Sequence, residues 1–457
     1  VHFVHRPYTQ HETVSAIATP PGEGGIAVIR VSGKESLDVV SKIFSGPIFS
    51  YISHTAHLGK ITDLSGTFID EVLVLVMLGK RSFTGEDTVE IHCHGGSIVT
   101  KKVLEATIAA GARPALPGEF SFKAFMNGKI DLAQAEAVQE LIGAKNEIAL
   151  QKAEDQLQGS LSKKINLFQK NLFDIAAILE AWVDFPEEGL EFASKDEIIT
   201  MLHQSVCEMK QLSQTFSEGQ VIKEGLSLCL IGPPNAGKSS LMNSLLGKER
   251  AIVTDIPGTT RDILEDDLYL GGLHFKIRDT AGIRKTEEVV EKEGIKRSKE
   301  AMEKADLVLL LFDISQTRST EELELNSLAP KNKTLLVWNK ADLEAKQQSS
   351  SHHPSVIISA KEQLGITELK DAIHHIIWKK GPPSQEDLII TNVRHKKALD
   401  DAVLSLEQVI TGLKSDISPE FLSSDMLAAL KELGTIIGKD IGEEILGAIF
   451  SKFCVGK

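Results

Sequence analysis

Gly232-Pro233-Pro234-Asn235-Ala236-Gly237-Lys238-Ser239 is the stretch on which the reading of this chain turns. It follows the apolar run Leu226 to Ile231 and precedes a helix-like stretch beginning Ser240-Leu241-Met242-Asn243, so strand, loop and helix come in the order phosphate binding requires. Glycines let the backbone wrap its N–H groups around phosphates, Lys238 supplies charge to the β/γ oxygens, and the Ser239 hydroxyl can ligate Mg²⁺. Each of the two prolines removes one backbone N–H from the cradle.

Further along lie signals with separate chemistry. Asp279-Thr280-Ala281-Gly282 follows Phe275-Lys276-Ile277-Arg278, a carboxylate at a strand's end able to hold Mg²⁺ through water, with a glycine N–H for the γ-phosphate. Asn339-Lys340-Ala341-Asp342 follows the apolar strand Thr334 to Trp338. A carboxylate there accepts two N–H bonds from guanine, a pattern adenine lacks, and leaving it unpaired costs roughly 1–3 kcal/mol. Ser359-Ala360-Lys361, after the strand Ser355 to Ile358, is expected to aim the Ala360 N–H at the guanine carbonyl. All of these sit at carboxyl ends of strands, where α/β sheets bind ligands. Between them, Ala251 to Asp262 occupies the place of a switch segment, with Thr260 as a second Mg²⁺ ligand. Ile283 stands where the template GTPase has a water-orienting Gln, so hydrolysis needs another device.

With 457 residues, 42% hydrophobic and 25% charged, the chain is expected to form several soluble domains. No run approaches the ~18 apolar residues of a membrane span, and no secretory pattern opens the sequence, so cytoplasm is the expected location. Cys93, Cys207, Cys229 and Cys454 are far apart, without a C-x-x-C pair, against both a disulfide framework and a zinc ribbon. A net charge of -14 disfavours coating nucleic acid with the whole surface, so RNA contact must be local or shared. His92-Cys93-His94 invites a metal reading, but neighbours on a strand point to opposite faces.

From Thr13 to Ser32 the pattern is two strands around a proline-glycine corner. Glu71 to Leu78 and Thr88 to Cys93 read as strands, and Ile98 to Ala110 as a helix ended by Gly111. Between Pro117 and Pro186 no proline appears, and apolar residues recur at helical spacing from Leu132 to Trp182, which predicts long packed helices. The same texture returns over Val393 to Ile410 and Leu427 to Phe453, with Pro419 as a break. The expected fold is multidomain α/β and α. An α+β domain covers 1–127, a split all-helical domain covers 128–222 and 381–457, and an inserted P-loop α/β module covers 223–380.

Asn235, the segment Gly258-Thr259-Thr260-Arg261-Asp262, the split helical domain, the amino-terminal Thr19-Pro20-Pro21-Gly22-Glu23-Gly24-Gly25 and the terminal Phe453-Cys454-Val455-Gly456-Lys457 carry a resemblance. Over essentially its whole length the chain resembles the MnmE (TrmE) family of tRNA modification GTPases. The resemblance implies a K⁺-activated GTPase working through nucleotide-dependent dimerisation of its G domains. It implies K⁺ ligands at Asn235, Thr254, Ile256 and Thr259, and Mg²⁺ at Ser239 and Thr260. It extends the GTP contacts to Ser240, Asp255, Pro257 and Gly258 beside Ala236 to Ser239, Asp279 to Gly282, Asn339, Lys340, Asp342 and Ser359 to Lys361. Glu291 matches the family's water-orienting carboxylate; read alone, it belongs to an acidic run that is ordinarily a solvated helix face.

The amino-terminal domain of that family resembles folate-binding one-carbon proteins and takes 5-formyl- or methylene-tetrahydrofolate. Arg30, Glu90, Lys129 and Lys457 match its contact positions. Cations suit a glutamate tail, and a carboxylate can accept N–H bonds from a pterin. The partners implied are a second copy of the chain, tRNA, and the flavoprotein MnmG in a heterotetramer. FAD is carried only by that partner; no G-x-G-x-x-G follows a strand here. The implied product is a carboxymethylaminomethyl group at C5 of the wobble uridine. Cys454 could take part in transfer or pack as a small hydrophobe. Two rivals share the nucleotide motifs: a ribosome-assembly GTPase acting as an RNA-binding switch, and a scaffold that only dimerises.

Overall fold

The computed structural model describes residues 8, 12–184, 194–248, 266–270, 272–277, 299–317, 319–346, 353–378, 381, 383–384, 386–439 and 441–456. Strands β1 (Val14–Ile17), β2 (Gly24–Ser32), β3 (Thr55–Thr62), β4 (Phe68–Met77), β5 (Thr88–Gly95) and β6 (Arg113–Pro114) form one sheet in the order β3-β4-β5-β2-β1-β6. Period-2 alternation decides its faces. Ile29, Val31, Val74, Val76 and Ile91 are buried, sharing a core with helices α1 (Ser36–Ser41) and α2 (Ser97–Ala109). Arg30 and Glu90 are direct partners across β2 and β5. The predicted hairpin over Thr13 to Ser32 is the antiparallel β1–β2 pair, and Gly111, at φ 123°, follows α2.

The proline-free stretch is several helices rather than a few long ones: α3 (Glu119–Met126), α4 (Leu132–Gly143), α5 (Glu147–Leu157) and α6 (Ser160–Asp184). Local chemistry makes the breaks. Gly128 and Gly159 take φ of 66° and 83°, conformations that suit glycine. Asp131 closes a capping box with Gln134 at the start of α4, and Asn146 caps α5. Next come α7 (Lys195–Gln214) and α8 (Phe216–Glu224).

The second sheet contains β7 (Leu226–Ile231), β8 (Asp266–Leu270), β9 (Leu273–Ile277), β10 (Leu307–Asp313), β11 (Thr334–Asn339) and β12 (Ser355–Ile357), in the order β12-β11-β10-β7-β9-β8. Only the β8–β9 pair is antiparallel. Every residue of β7, β10 and β11 is buried, as near-continuous apolar runs in a parallel sheet require. Helices α9 (Lys238–Lys248), α10 (Thr320–Leu328) and α11 (Ile366–Ile377) belong to this part.

After it come α12 (Val393–Lys414), α13 (Pro419–Ile437) and α14 (Glu443–Phe450). Pro419 stands at the break between α12 and α13, in the first turn of α13, where its missing N–H costs nothing. Ile165, Leu172, Leu202, Met209, Leu399, Leu406, Met426 and Leu433 share one fully buried core, so segments on both sides of the second sheet make one bundle.

The junctions are tied to α4 and α5. Glu140 accepts Lys223 Nζ on one oxygen at 2.5 Å and Thr391 Oγ1 on the other at 2.8 Å. Asn146 donates to the Ile222 carbonyl at 2.9 Å, and Lys152 donates to Ser384 O and Asp387 O at 2.9 and 2.8 Å. Deeper in, Glu136 accepts Arg394 Nε at 3.0 Å and faces Arg394 Nη2 and His395 Nε2, each at 2.7 Å. Glu136 and His395 are buried.

Candidate active site

The phosphate loop runs from the buried end of β7 into α9. Gly232 has no room for a side chain, since a Cβ there would lie 2.1 Å from the Leu311 carbonyl oxygen. Lys238 donates to Gly232 O at 2.6 Å and Pro233 O at 2.8 Å, holding its ammonium over its own loop. Asn235 has φ 63°. Asparagine tolerates that left-handed conformation better than most residues, so the backbone alone gives a reason for it.

Asn339, buried at the end of β11, joins this loop to the base side. Its Nδ2 donates to Ala236 O at 2.9 Å, and its Oδ1 accepts the Ala360 N–H at 3.0 Å. The Ala360 N–H, expected from the sequence to serve a guanine carbonyl, is here directed at the Asn339 side chain. A Cβ on Gly237, at φ 96°, would come within 2.2 Å of the same Nδ2.

Asp342 accepts Ser359 Oγ at 2.6 Å, and that bond holds its carboxyl below the usual range, so the group is anionic at neutral pH. It is exposed, so little desolvation penalty acts on it as it stands. Lys340, at φ 67°, reaches back to Asp313 with Nζ 2.6 Å from Oδ2. Asp313 was not singled out in the sequence, although it too is a carboxylate at a strand's carboxyl end. Ser239 and Ser240 follow Lys238 in the first turn of α9, and the Lys361 side chain is largely exposed beside Glu362. Thr254, Asp255, Ile256, Pro257, Gly258, Thr259, Thr260, Asp279, Thr280, Ala281, Gly282, Glu291 and Lys457 lie outside the described residues.

On the first sheet, Arg30 donates through Nε to Glu90 Oε1 at 2.8 Å and through Nη1 to Gly456 O at 3.0 Å. Its guanidinium carbon lies 5.5 Å from the centre of the Phe120 ring. The carboxyl-terminal segment reaches this point because Phe450 and Phe453 pack with Phe122 and Leu132, and the Gly118 N–H donates to Cys454 O at 3.2 Å. Lys129 stands apart from the pair, donating to Lys80 O at 2.6 Å. A cleft of about 670 Å³ opens beside Val455, between the Pro20–Gly24 loop, Thr100, Leu104 and Ala115. Cys93 lies in the core of this sheet and His94 pairs with Asp70 at 2.8 Å, on opposite sides of the strand. Among the described residues no cluster of His, Cys, Asp and Glu could hold a metal ion, and no helix is long and apolar enough to cross a membrane.

A glycine-lysine phosphate loop after a central parallel strand, tied by a buried asparagine to the backbone of Ala360, with an anionic aspartate on the same turn as that asparagine, defines a GTP hydrolase of the P-loop class. Known proteins narrow the class. The family pattern described as MnmE helical domain matches residues 132–454, and that of the GTP-binding protein TrmE N-terminus matches residues 13–129. The tRNA modification GTPase MnmE of Protochlamydia amoebophila is 61% identical over 456 residues, 100% of both chains. Those of Chlamydia abortus and Chlamydia trachomatis serovar A are 44% and 42% identical, each over 98% of this chain and 100% of theirs. The chain belongs to the MnmE family of tRNA modification GTPases.

Proposed function

We propose that this GTPase is activated by K⁺, dimerises, and acts with the flavoprotein MnmG to add a carboxymethylaminomethyl group at C5 of the wobble uridine of certain tRNAs, in the cytoplasm. Water attacks the γ-phosphorus and gives up a proton as the bond to the β-phosphate oxygen breaks, yielding inorganic phosphate and GDP; Lys238 offsets the charge on the phosphate oxygens, and a bound Mg²⁺ would add to that. Ser239 and Thr260 would hold the Mg²⁺. Asn235, Thr254, Ile256 and Thr259 would hold the K⁺, and Glu291 would orient the water. Tetrahydrofolate would bind near Arg30, Glu90, Lys129 and Lys457 and supply the carbon, while FAD stays with the partner. The domain roles follow: 1–127 binds folate and dimerises, 223–380 binds GTP, and 128–222 with 381–457 links them.

What supports this reading is the carboxyl-terminal segment lying against Arg30 beside Glu90, in the same chain as a complete phosphate loop. Glu90 is already paired with Arg30, so a pterin would share that carboxylate or displace the guanidinium. A ribosome-assembly switch or a simple dimerising scaffold has no use for such a site.

Two measurements test it. GTP turnover should rise strongly in KCl but not in NaCl, and the increase should vanish in Asn235→Gly, which keeps the backbone conformation while removing the side-chain oxygen. Calorimetric titration with 5-formyl-tetrahydrofolate should show binding weakened about tenfold in Glu90→Gln, given the worth of a hydrogen bond to a charged group. Equal turnover in both salts, or no heat on titration, would count against the corresponding half.

A further inference from the structure

Lys340 holds an unusual backbone position for a long side chain. At φ 67° it lies in the left-handed region, which a residue with a Cβ adopts only at a steric cost. Something must hold the turn there, and the surroundings show what. The ammonium reaches back 2.6 Å to Asp313 Oδ2. Asp313 is buried at the end of β10, directly opposite Asn339 in the strand register. It is held in its turn: Oδ1 accepts the Ser315 N–H at 2.9 Å and Ser315 Oγ at 2.7 Å, and Oδ2 accepts Gln316 Nε2 at 3.1 Å. Burial alone would raise this carboxyl, but Lys340 and Ser315 outweigh it and bring it below its ordinary range. The backbone agrees, with Ile314 N–H donating to Asn339 O and Ala341 N–H to Ile358 O, both at 3.0 Å.

We propose that Asp313 is a positioning residue for guanine nucleotides: by anchoring the Lys340 ammonium it fixes the Asn339-to-Asp342 turn, and with it the direction of the Asp342 carboxylate. Asn339 ties the turn to the phosphate loop and to Ala360, so the anchor orders both the base side and the phosphate side of the site. Asp313 touches no part of the nucleotide itself; it acts through Lys340. This rests on reading Asn339 to Asp342 as the guanine clamp.

The test uses the full-length protein with fluorescent GDP for affinity and phosphate release for turnover. Asp313→Asn keeps the shape of the side chain and removes its charge. The expected result is about tenfold weaker GDP binding, a KM for GTP raised by about the same factor, and kcat within about threefold of the parent. Lys340→Ala should weaken binding comparably, and the double variant should be little worse than either, because both changes cut one link. If Lys340→Ala binds GDP as tightly as the parent, the clamp reading itself fails. If Lys340→Ala binds weakly but Asp313→Asn binds normally, or the two effects multiply, the anchoring role is overturned. A fall in kcat with unchanged KM would assign Asp313 only to the integrity of the sheet and would likewise overturn it. Should Asp313→Asn fail to fold, Ser315→Ala, which removes one of the bonds aiming Asp313, gives a milder shift in KM, and an unmoved KM there defeats the proposal.

Discussion

Lys238→Ala lowers GTP turnover by about 10²- to 10³-fold, the scale expected when one preorganised charge facing the transferred phosphoryl group is lost. Its ammonium is carried on the first residue of α9 and held by the Gly232 and Pro233 carbonyls, within the loop that receives the phosphates. Within the loop itself, Pro233 and Pro234 offer no N–H and Asn235 is neutral, so no other residue of that stretch replaces the charge. The effect should appear in kcat as well as KM, since negative charge redistributes among the phosphate oxygens as the bond breaks. Phosphate release at saturating GTP, beside a melting curve, separates this from unfolding: the melting temperature should hardly move, the helical core being remote in sequence and packing. Turnover within a few-fold of the parent would show that the charge comes from elsewhere.

Glu136→Ala should destabilise the helical part by about 3–5 kcal/mol, the cost of removing the buried carboxylate from its ion pair with Arg394 and its bond to His395. That is a large share of the 5–15 kcal/mol typical of a domain. Burial works to raise the Glu136 carboxyl, but His395 and Arg394 together overcome it and bring its pKa from 4.5 to about 2. The folded value being the lower one, this stabilisation is fully present above pH 4.5 and is lost as the pH falls from there to about 2. A shift of that size corresponds to about 3 kcal/mol. Urea unfolding of parent and variant at pH 7 and at pH 3 would measure both claims: the difference between them should shrink with acid. A constant difference would mean that the carboxylate charge is not what stabilises this junction.

How far the sequence could be read depended on whether the deciding signal was local. The loop from Gly232 to Ser239 needed only its own glycines, its lysine and the apolar strand before it, and β7, β10 and β11 stand out as largely apolar runs, with Ser227 the one polar residue inside them. The strand Thr55–Thr62 escaped because it lies at the sheet edge and alternates between half-buried and exposed, with His57, Gly59 and Lys60 among its residues. The long-helix reading from Leu132 to Trp182 followed one apolar period across several breaks. α4 and α6 both contribute to the bundle core, so the period persists while the chain turns at Asn146 and Gly159. Ile142, counted as core by that period, is 47% exposed.

In the site, residues defined by their own chemistry were legible and those defined by a neighbour were not. Asp342 announces itself by following Asn339 and Lys340. The capture of the Ala360 N–H by Asn339, and the grip of Asp313 on Lys340, depend on separate strand ends being brought side by side by the sheet. Likewise, nothing near Arg30 in the sequence announces that Gly456 will lie against it.

Glu140, with Lys223 on one oxygen and Thr391 on the other, makes the two ends of the inserted module share a fulcrum. Both chain crossings into the nucleotide-binding part are therefore pinned to one side chain of α4. The far end of that short helix begins at Leu132, a few residues beyond Lys129 and in the same packing cluster as Phe450 and Phe453. About two turns of helix thus separate the pivot at Glu140 from the ground on which Phe450 and Phe453 rest.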